Sequence, residues 1–176
     1  MNRAVLVVAI STMLVCISGC KKANPEQAST MDTPAQQAQP HGWLLTSAPQ
    51  GAVSVTEARS IGKEGDAIVI RGRIGGRHTP MSADSPVFTV VDLELPYCGQ
   101  HEDDGCATPW DYCCEMPRTI STNSATVQIV GDGTVDPVAA GLEPLDIVVL
   151  VGTVGPRPTD EIFTIQSTGV YQTTDE

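Results

Sequence analysis

Aromatic and basic residues are the scarce components of this 176-residue chain. Aromatic residues make up 4% of it, and 10 lysines and arginines stand against 21 acidic residues. The resulting formal net charge of -11 argues against a protein that binds phosphate backbones, because an acidic surface repels nucleic acid. Apolar residues still amount to 41%, which excludes a wholly disordered chain. The length predicts one domain with residues to spare.

The sequence also lacks a long hydrophobic run. The longest covers residues 4–17, which is shorter than the roughly 20 residues that a membrane-spanning helix needs. It follows Arg3 and ends in Ile17-Ser18-Gly19-Cys20, the layout of a secretory signal peptide.

Those four residues resemble the lipobox of bacterial lipoproteins. The resemblance implies a signal peptide over residues 1–19, cleavage before Cys20, and a lipid anchor (diacylglycerol, with palmitate) on Cys20. Lys21, and not aspartate, follows the cysteine, which in that family favours the outer membrane, facing the periplasm. We therefore expect a lipid-anchored protein of the cell envelope.

A tether separates this anchor from the domain. Residues 21–42 contain no Leu, Ile, Val or aromatic residue, so they bury too little surface to fold alone. We assign residues 20–42 to the lipidated cysteine with its disordered tether, and residues 43–176 to one folded domain.

The domain carries strand patterns and one short helix pattern. Five segments alternate or are continuously apolar in the manner of strands; they cover residues 68–74, 87–95, 125–130, 147–154 and 161–171. Ser54 and Glu57 have the spacing of a capping box, which predicts a helix over residues 55–60, ended by Gly62. The domain is therefore predicted to be all-β.

Five strands with internal glycines resemble the OB-fold. The residues that carry the likeness are Ile68-Val69-Ile70-Arg71-Gly72-Arg73-Ile74, Phe88-Thr89-Val90-Val91-Asp92, and Val148-Val149-Leu150-Val151-Gly152-Thr153-Val154 with Phe163-Thr164-Ile165. The resemblance implies a small five-stranded barrel with a short helix at its start. The usual helix between strands three and four has only residues 134–145 to form in, and Pro137 and Pro144 shorten it. A small β-sandwich is the alternative fold.

The unusual chemistry lies in residues 96–117, which we call the cysteine loop. It holds Cys98, Cys106, Cys113 and Cys114. An even number of cysteines outside the cytosol favours two disulfides. Because adjacent cysteines rarely bond each other, Cys98 would pair with Cys113 or Cys114, and Cys106 with the other.

A metal site is the alternative interpretation of the same loop. His101 joins the four cysteines, and thiolate and imidazole donors bind zinc or copper(I). The order of these residues matches no standard zinc motif, and the oxidising compartment favours disulfides over a metal. Without such a metal, no cofactor is expected.

Three aromatic residues of the loop and two arginines form the candidate ligand face. They are Tyr97, Trp110, Tyr112, Arg71 and Arg73. Aromatic rings stack on planar ligands, although in a small domain they often form a loop's own core.

These features favour a non-catalytic binding or structural module over two other classes. No G-x-S-x-G, P-loop, H-E-x-x-H or C-x-x-C motif is present, so we assign no catalytic residue and do not expect an enzyme. Many OB-folds bind single-stranded nucleic acid, but the acidic balance makes that alternative unfavourable here. The expected partners are the membrane, through the lipid, and an envelope protein or glycan.

Overall fold

A computed structural model describes residues 42–100 and 105–174. The signal peptide, the lipidation of Cys20 and the tether fall outside the described residues and stay predictions. Within those described ranges, no helix combines the length and the apolar character needed to cross a bilayer.

The described chain is built mainly of strands. Its elements in chain order are β1 (Val53–Ser54), α1 (Val55–Ile61), β2 (Ala67–Ile74), β3 (Val87–Val91), a 3-10 helix (Pro109–Asp111), α2 (Pro117–Thr122), β4 (Ser124–Ile129), β5 (Ile147–Val154) and β6 (Thr164–Gln172).

All five predicted strands are present, as β2 to β6. The second is shorter than expected and ends at Val91, four residues before the predicted limit. There the side chain of Asp92 accepts the amide of Glu94 at 3.1 Å, and its carbonyl accepts the amide of Leu95 at 3.2 Å. This turn draws the backbone away from the sheet, which alternation of side chains alone does not reveal.

The strands close into a barrel. β3 pairs with β2 and β4, β4 runs parallel to β6, β6 pairs with β5, and β5 returns to β2 along residues 67–73. Around the barrel the strands follow in the order β2, β3, β4, β6, β5. If β2 is counted as strand one, this is the order one, two, three, five, four of the OB-fold. The barrel prediction is confirmed, and the β-sandwich alternative is wrong because one closed sheet replaces two packed ones.

The first helix is confirmed with its cap. α1 begins after Ser54, whose hydroxyl oxygen accepts the amide of Glu57 at 3.2 Å. Val55 and Ala58 are fully buried in the barrel core. A Cβ on Gly72 would stand 3.0 Å from the Val55 side chain, so glycine at this position of β2 lets the helix pack closely.

The segment before β5 forms turns and no helix. The amide of Ala140 bonds to the carbonyl of Asp136 at 3.0 Å, and that of Leu142 bonds to the carbonyl of Pro137. A second short helix, α2, lies instead between β3 and β4 and was not predicted. Pro117 at its first position has the fixed φ that begins a helix, the one local signal available there.

The core fills the barrel and extends to its first residues. Phe88, Ile70, Leu150 and Ile165 are almost wholly buried. Trp43 is 4% exposed, and its carbonyl accepts the amide of Val170 at 2.8 Å. Residues just after the predicted tether therefore pack on β6.

A buried carboxylate fixes α1 to the end of β3. Asp92 is 1% exposed, and one of its oxygens accepts both the amide of Thr56, at 2.8 Å, and the Thr56 hydroxyl, at 2.6 Å. Burial acts to raise the pKa of Asp92, but the hydrogen bonds from Thr56 and from the Glu94 amide outweigh it, and the pKa lies below its ordinary value. Asp92 thereby completes the N-terminal cap of a helix that is distant in sequence.

We expect Asp92→Asn to lower the free energy of unfolding by about 1–3 kcal/mol at neutral pH, because hydrogen bonds to a charged group are lost. The folded-state pKa is depressed, so this contribution is fully present above the unfolded pKa of about 3.9 and is lost as the pH falls through the folded value. Urea denaturation at neutral pH and at successively lower pH values measures it. The control, Asp66→Asn, removes an exposed carboxylate that accepts one amide, and it should cost less than about 0.5 kcal/mol. Equal effects of both variants across this pH range would contradict the assignment.

Candidate metal centre

The cysteine loop is shaped by an aspartate that organises its own turn. The Asp111 carboxylate accepts the Thr108 hydroxyl at 2.7 Å and the amide of Cys113 at 2.8 Å. The hydrogen bond from Thr108 is the main reason that the pKa of Asp111 lies below its usual value. Between Asp111 and Cys113, Tyr112 adopts a left-handed conformation with a φ of 58°, which reverses the chain just before the paired cysteines.

Two consecutive glycines at the end of β2 hold the loop against the barrel. The amide of Gly76 donates to the carbonyl of Trp110 at 2.8 Å. A Cβ on Gly75 would lie 2.7 Å from that same carbonyl oxygen and 2.9 Å from the ring of Tyr112. Because neither distance is tolerable for a real side chain, only glycine permits this approach.

Tyr112 forms the apolar centre of the loop. It is wholly buried and packs with Val91 and Leu95, with Tyr97 and Ile120 at the margin. Burial raises the pKa of Tyr112, which keeps its phenol neutral. Its place on the predicted ligand face is therefore wrong: this ring is core.

The loop brings its four cysteine sulfurs together. The Sγ of Cys113 lies 3.3 Å from that of Cys106 and 3.5 Å from that of Cys98. With Cys114 included, all four sulfurs fall within 4.8 Å of one another. Cys98 is buried, Cys106 is half-buried, and the paired cysteines are exposed, so the cluster sits at the surface with one ligand rooted in the core.

The thiols influence one another's ionisation. Burial acts to raise the pKa of Cys98, but hydrogen bonds from the backbone and side chain of Cys114 and from Cys113 outweigh it, and the pKa is lowered. Its hydrogen bond with Cys98 raises the pKa of Cys114 to about 11. Hydrogen bonds to Cys106 and Cys98 likewise raise the pKa of Cys113. The cluster thus favours the thiolate of Cys98 over those of Cys113 and Cys114.

The predicted disulfides find no support in these distances. A disulfide joins its sulfurs at about 2.05 Å, whereas the four cysteines of the described chain are free thiols, and the Sγ atoms of Cys106 and Cys113 are 3.3 Å apart. One sulfur, that of Cys113, is close to two others at once, and a single disulfide cannot satisfy both. The arrangement resembles a four-ligand cage. His101, the fifth ligand candidate, lies outside the described residues.

The remaining ligand-face candidates separate into two places. The Trp110 indole donates to the carbonyl of His78 at 3.1 Å on the docking side of the loop. Arg73 and Tyr97 meet elsewhere, with the guanidinium carbon 4.5 Å from the centre of the ring, and both line a cavity. Arg71 is half-buried on β2 and does not line that cavity.

Sequence reasoning missed the other walls of that cavity. They include Leu145 and Asp146, just before β5, and Thr174, just after β6. No motif links these residues, because they belong to separate segments that only the closed barrel brings together. Gly75 and Gly76 were also overlooked as the docking point, although a glycine pair at a strand end is a visible signal for close backbone approach.

Fold and site together define a class: an OB-fold-like barrel that carries a four-thiol loop. No family model matches the chain, and no curated protein matches it. Among solved structures, it is similar to the hypothetical protein ygiW of E. coli, with 15% identity over 72% of this chain and 96% of that one and a TM-score of 0.37. It is also similar to OBody AM1L10, solved bound to hen egg-white lysozyme, with 15% identity, 73% and 100% coverage and a TM-score of 0.41. The fold assignment rests on the strand pairing described above.

We expect Gly75→Ala to displace the cysteine loop and to lower the free energy of unfolding by about 1–3 kcal/mol, since the new methyl group meets the Trp110 carbonyl. Urea denaturation measures this loss, and the near-ultraviolet circular dichroism of the aromatic residues reports the displacement. Gly131→Ala is the matched control, because a Cβ there meets nothing within 4 Å. A Gly75→Ala protein with wild-type stability and an unchanged aromatic spectrum would show that the loop does not dock in this way.

Proposed function

We propose that this protein is a lipid-anchored protein of the cell envelope whose barrel is a non-catalytic binding module stabilised by a zinc–tetrathiolate centre. The single observation that supports the metal is the meeting of four sulfurs, from Cys98, Cys106, Cys113 and Cys114, within 4.8 Å. A metal-holding loop thereby takes precedence over the disulfide-closed loop expected from the compartment.

The distances fit a tetrahedral ion. Zinc binds thiolate at about 2.3 Å, which places the sulfurs of a tetrahedron about 3.8 Å apart. The two short separations, 3.3 and 3.5 Å, and the outer limit of 4.8 Å bracket that value. Thiolates are soft ligands that select zinc or copper(I) over calcium or magnesium. Four of them match the closed coordination shell of structural zinc.

A centre of this type favours structure over catalysis. Four protein thiolates fill the tetrahedron and leave no position for water or substrate, unlike the three-ligand sites of zinc enzymes. The ion would join Cys98, rooted in the core, to the exposed pair Cys113 and Cys114, and so hold both arms of a long loop. The proposal therefore assigns no catalytic residue.

The envelope location rests on the sequence around Cys20. The lipobox-like residues and the polar segment of residues 21–42 support a domain held off a membrane surface, in the outer membrane facing the periplasm. A net charge of -11 disfavours nucleic acid and leaves an envelope protein or glycan as the partner.

The metal is tested on the mature full-length protein, purified from membranes in mild detergent. We expect about one zinc per chain by elemental analysis, and four thiols that react with an alkylating reagent only after denaturation with chelator. Replacement by cobalt(II) should give the strong visible bands of tetrahedral thiolate coordination. Cys98→Ser and Cys106→Ser should each lose metal.

His101→Ala is the matched control, and it should retain both the metal and the cobalt spectrum because the four cysteines complete the site. Stoichiometric copper(I) in place of zinc would change the ion but keep the site. Two disulfides in the unreduced mass, with no metal, would overturn the metal centre. Loss of metal in His101→Ala would show that the imidazole of His101 is a ligand in place of one of the four thiolates.

The anchor is tested separately. The intact mass should equal that of residues 20–176 plus a diacylglycerol group and one additional acyl chain. Cys20→Ala should remain unprocessed and lack the lipid, because acylation needs the thiol. Ser18→Ala is the control, since a small residue is retained and processing should continue. Lipid-free wild-type protein in the soluble fraction would contradict the anchor and leave the metal proposal intact.

A further inference from the structure

A cavity of about 310 Å³ is lined in part by Tyr97 and Gln100 of the cysteine loop. Its walls come from four segments that are distant in sequence; the residues that matter here are Arg73, Tyr97, Gln100, Leu145, Asp146 and Thr174. A concave site with a few convergent polar groups is the usual form of a ligand pocket.

Arg73 is a cation that lacks an anionic partner within the described residues. It is half-buried, and its guanidinium stacks on the Tyr97 ring at 4.5 Å. Its guanidinium also interacts with the buried Tyr112 phenol, but among residues 42–100 and 105–174 no carboxylate lies within 4.0 Å of this side chain. Because the guanidinium lines the cavity and carries N–H groups in a planar fork, it is suited to receive the carboxylate of a ligand.

Asp146 supplies a hydrogen-bond acceptor in the same cavity. Its Oδ2 accepts the amide of Glu143 at 2.7 Å and the side-chain amide of Gln172 at 2.8 Å. These bonds fix the carboxylate while Oδ1 retains its lone pairs. Burial raises the pKa of Asp146, and perturbed carboxyl groups in clefts are frequent at binding sites.

The backbone between these two side chains forms a turn. Leu145 has a φ of 77° in the turn of residues 143–146, which the amide of Asp146 closes on the carbonyl of Glu143 at 3.2 Å. The amide of Leu145 is tied to the carbonyl of Ile74 at 2.9 Å, next to Arg73 on β2. The turn thereby presents the Leu145 side chain and the Asp146 carboxylate to the cavity together.

We propose that this cavity binds the free carboxyl end of a peptide. The terminal carboxylate would pair with Arg73 above Tyr97, the backbone N–H groups would donate to Asp146, and an apolar side chain would rest on Leu145. The pairing of one cation with one acceptor suits a ligand that carries a carboxylate together with a neighbouring donor. The proposal deepens the assignment of the barrel as a non-catalytic binding module and rests on it.

The test is a titration of the full-length mature protein, labelled with nitrogen-15, with N-acetyl-alanyl-alanine and separately with its C-terminal amide. We expect the acid to shift the backbone signals of Gln100 and Thr174 and the side-chain signal of Arg73, with saturation. The amide should not, because it lacks the charge. Arg73→Gln should weaken binding about tenfold or more, as expected for loss of a charge-assisted hydrogen bond.

Arg71→Gln is the matched control, since Arg71 lies two residues earlier on the same strand and does not line the cavity. Its affinity should equal that of the wild type. Thermal unfolding of both variants checks that each is folded. Asp146→Asn keeps the shape of the side chain and should also weaken binding of the peptide.

Three outcomes would overturn the proposal: no shifts at these residues up to about 10 mM peptide (the weak end of measurable affinity), equal shifts with the amide, or unchanged binding by Arg73→Gln. The outcome is separable from the metal assay. Zinc-loaded protein that does not bind the peptide would refute the peptide site alone. Metal-free protein that binds the peptide would refute the zinc centre alone. Turnover of a substrate at the cavity would refute the non-catalytic module itself.

Discussion

The close contact between the cysteine loop and the glycine pair at the end of β2 is the constraint on which the rest of the site depends. Gly76 binds the Trp110 carbonyl, and Gly75 leaves room for it and for the Tyr112 ring. With Tyr112 buried against Val91, the backbone on either side has little freedom. The cysteines that follow therefore emerge at a fixed point beside Cys98. This docking contributes to the meeting of the four sulfurs within 4.8 Å of one another.

The barrel and the loop meet through a small number of polar groups. Asp92 ends β3, begins the turn into the loop and caps α1, so one buried carboxylate sets both the helix and the start of the site. Tyr97, next to Cys98, stacks on Arg73 and forms a wall of the cavity. Two adjacent residues of one loop thus serve the two proposed sites: Cys98 belongs to the metal centre and Tyr97 to the wall of the ligand cavity. Each is supported by a separate observation: the sulfur distances support the metal, and the cavity that Arg73 and Asp146 line supports the ligand.

Local patterns predicted the elements well and their ends less well. Alternation in residues 68–74 and the apolar run of residues 147–154 depend only on which face is buried, and both became strands. Ser54 identified the start of α1 because a cap is a local interaction. The end of β3 depended on the turn in which Asp92 accepts the amides of Glu94 and Leu95, and the alternation of side chains continues past that turn without marking it. The disulfides were expected from the oxidising compartment and the even number of cysteines, and neither of these determines the distances between the sulfurs.

The sequence by itself determined an acidic all-β domain, its five strands, its first helix and a loop rich in cysteine, because composition, period and capping act over a few residues. It also predicted the lipid anchor, which lies outside the described chain. Only the tertiary structure decided that the sheet closes, that Tyr112 is core, that four sulfurs share one point, and that Arg73 faces a cavity with Asp146. These facts depend on contacts between segments far apart in the chain, and such contacts are fixed by closure of the barrel and by close packing at two glycines.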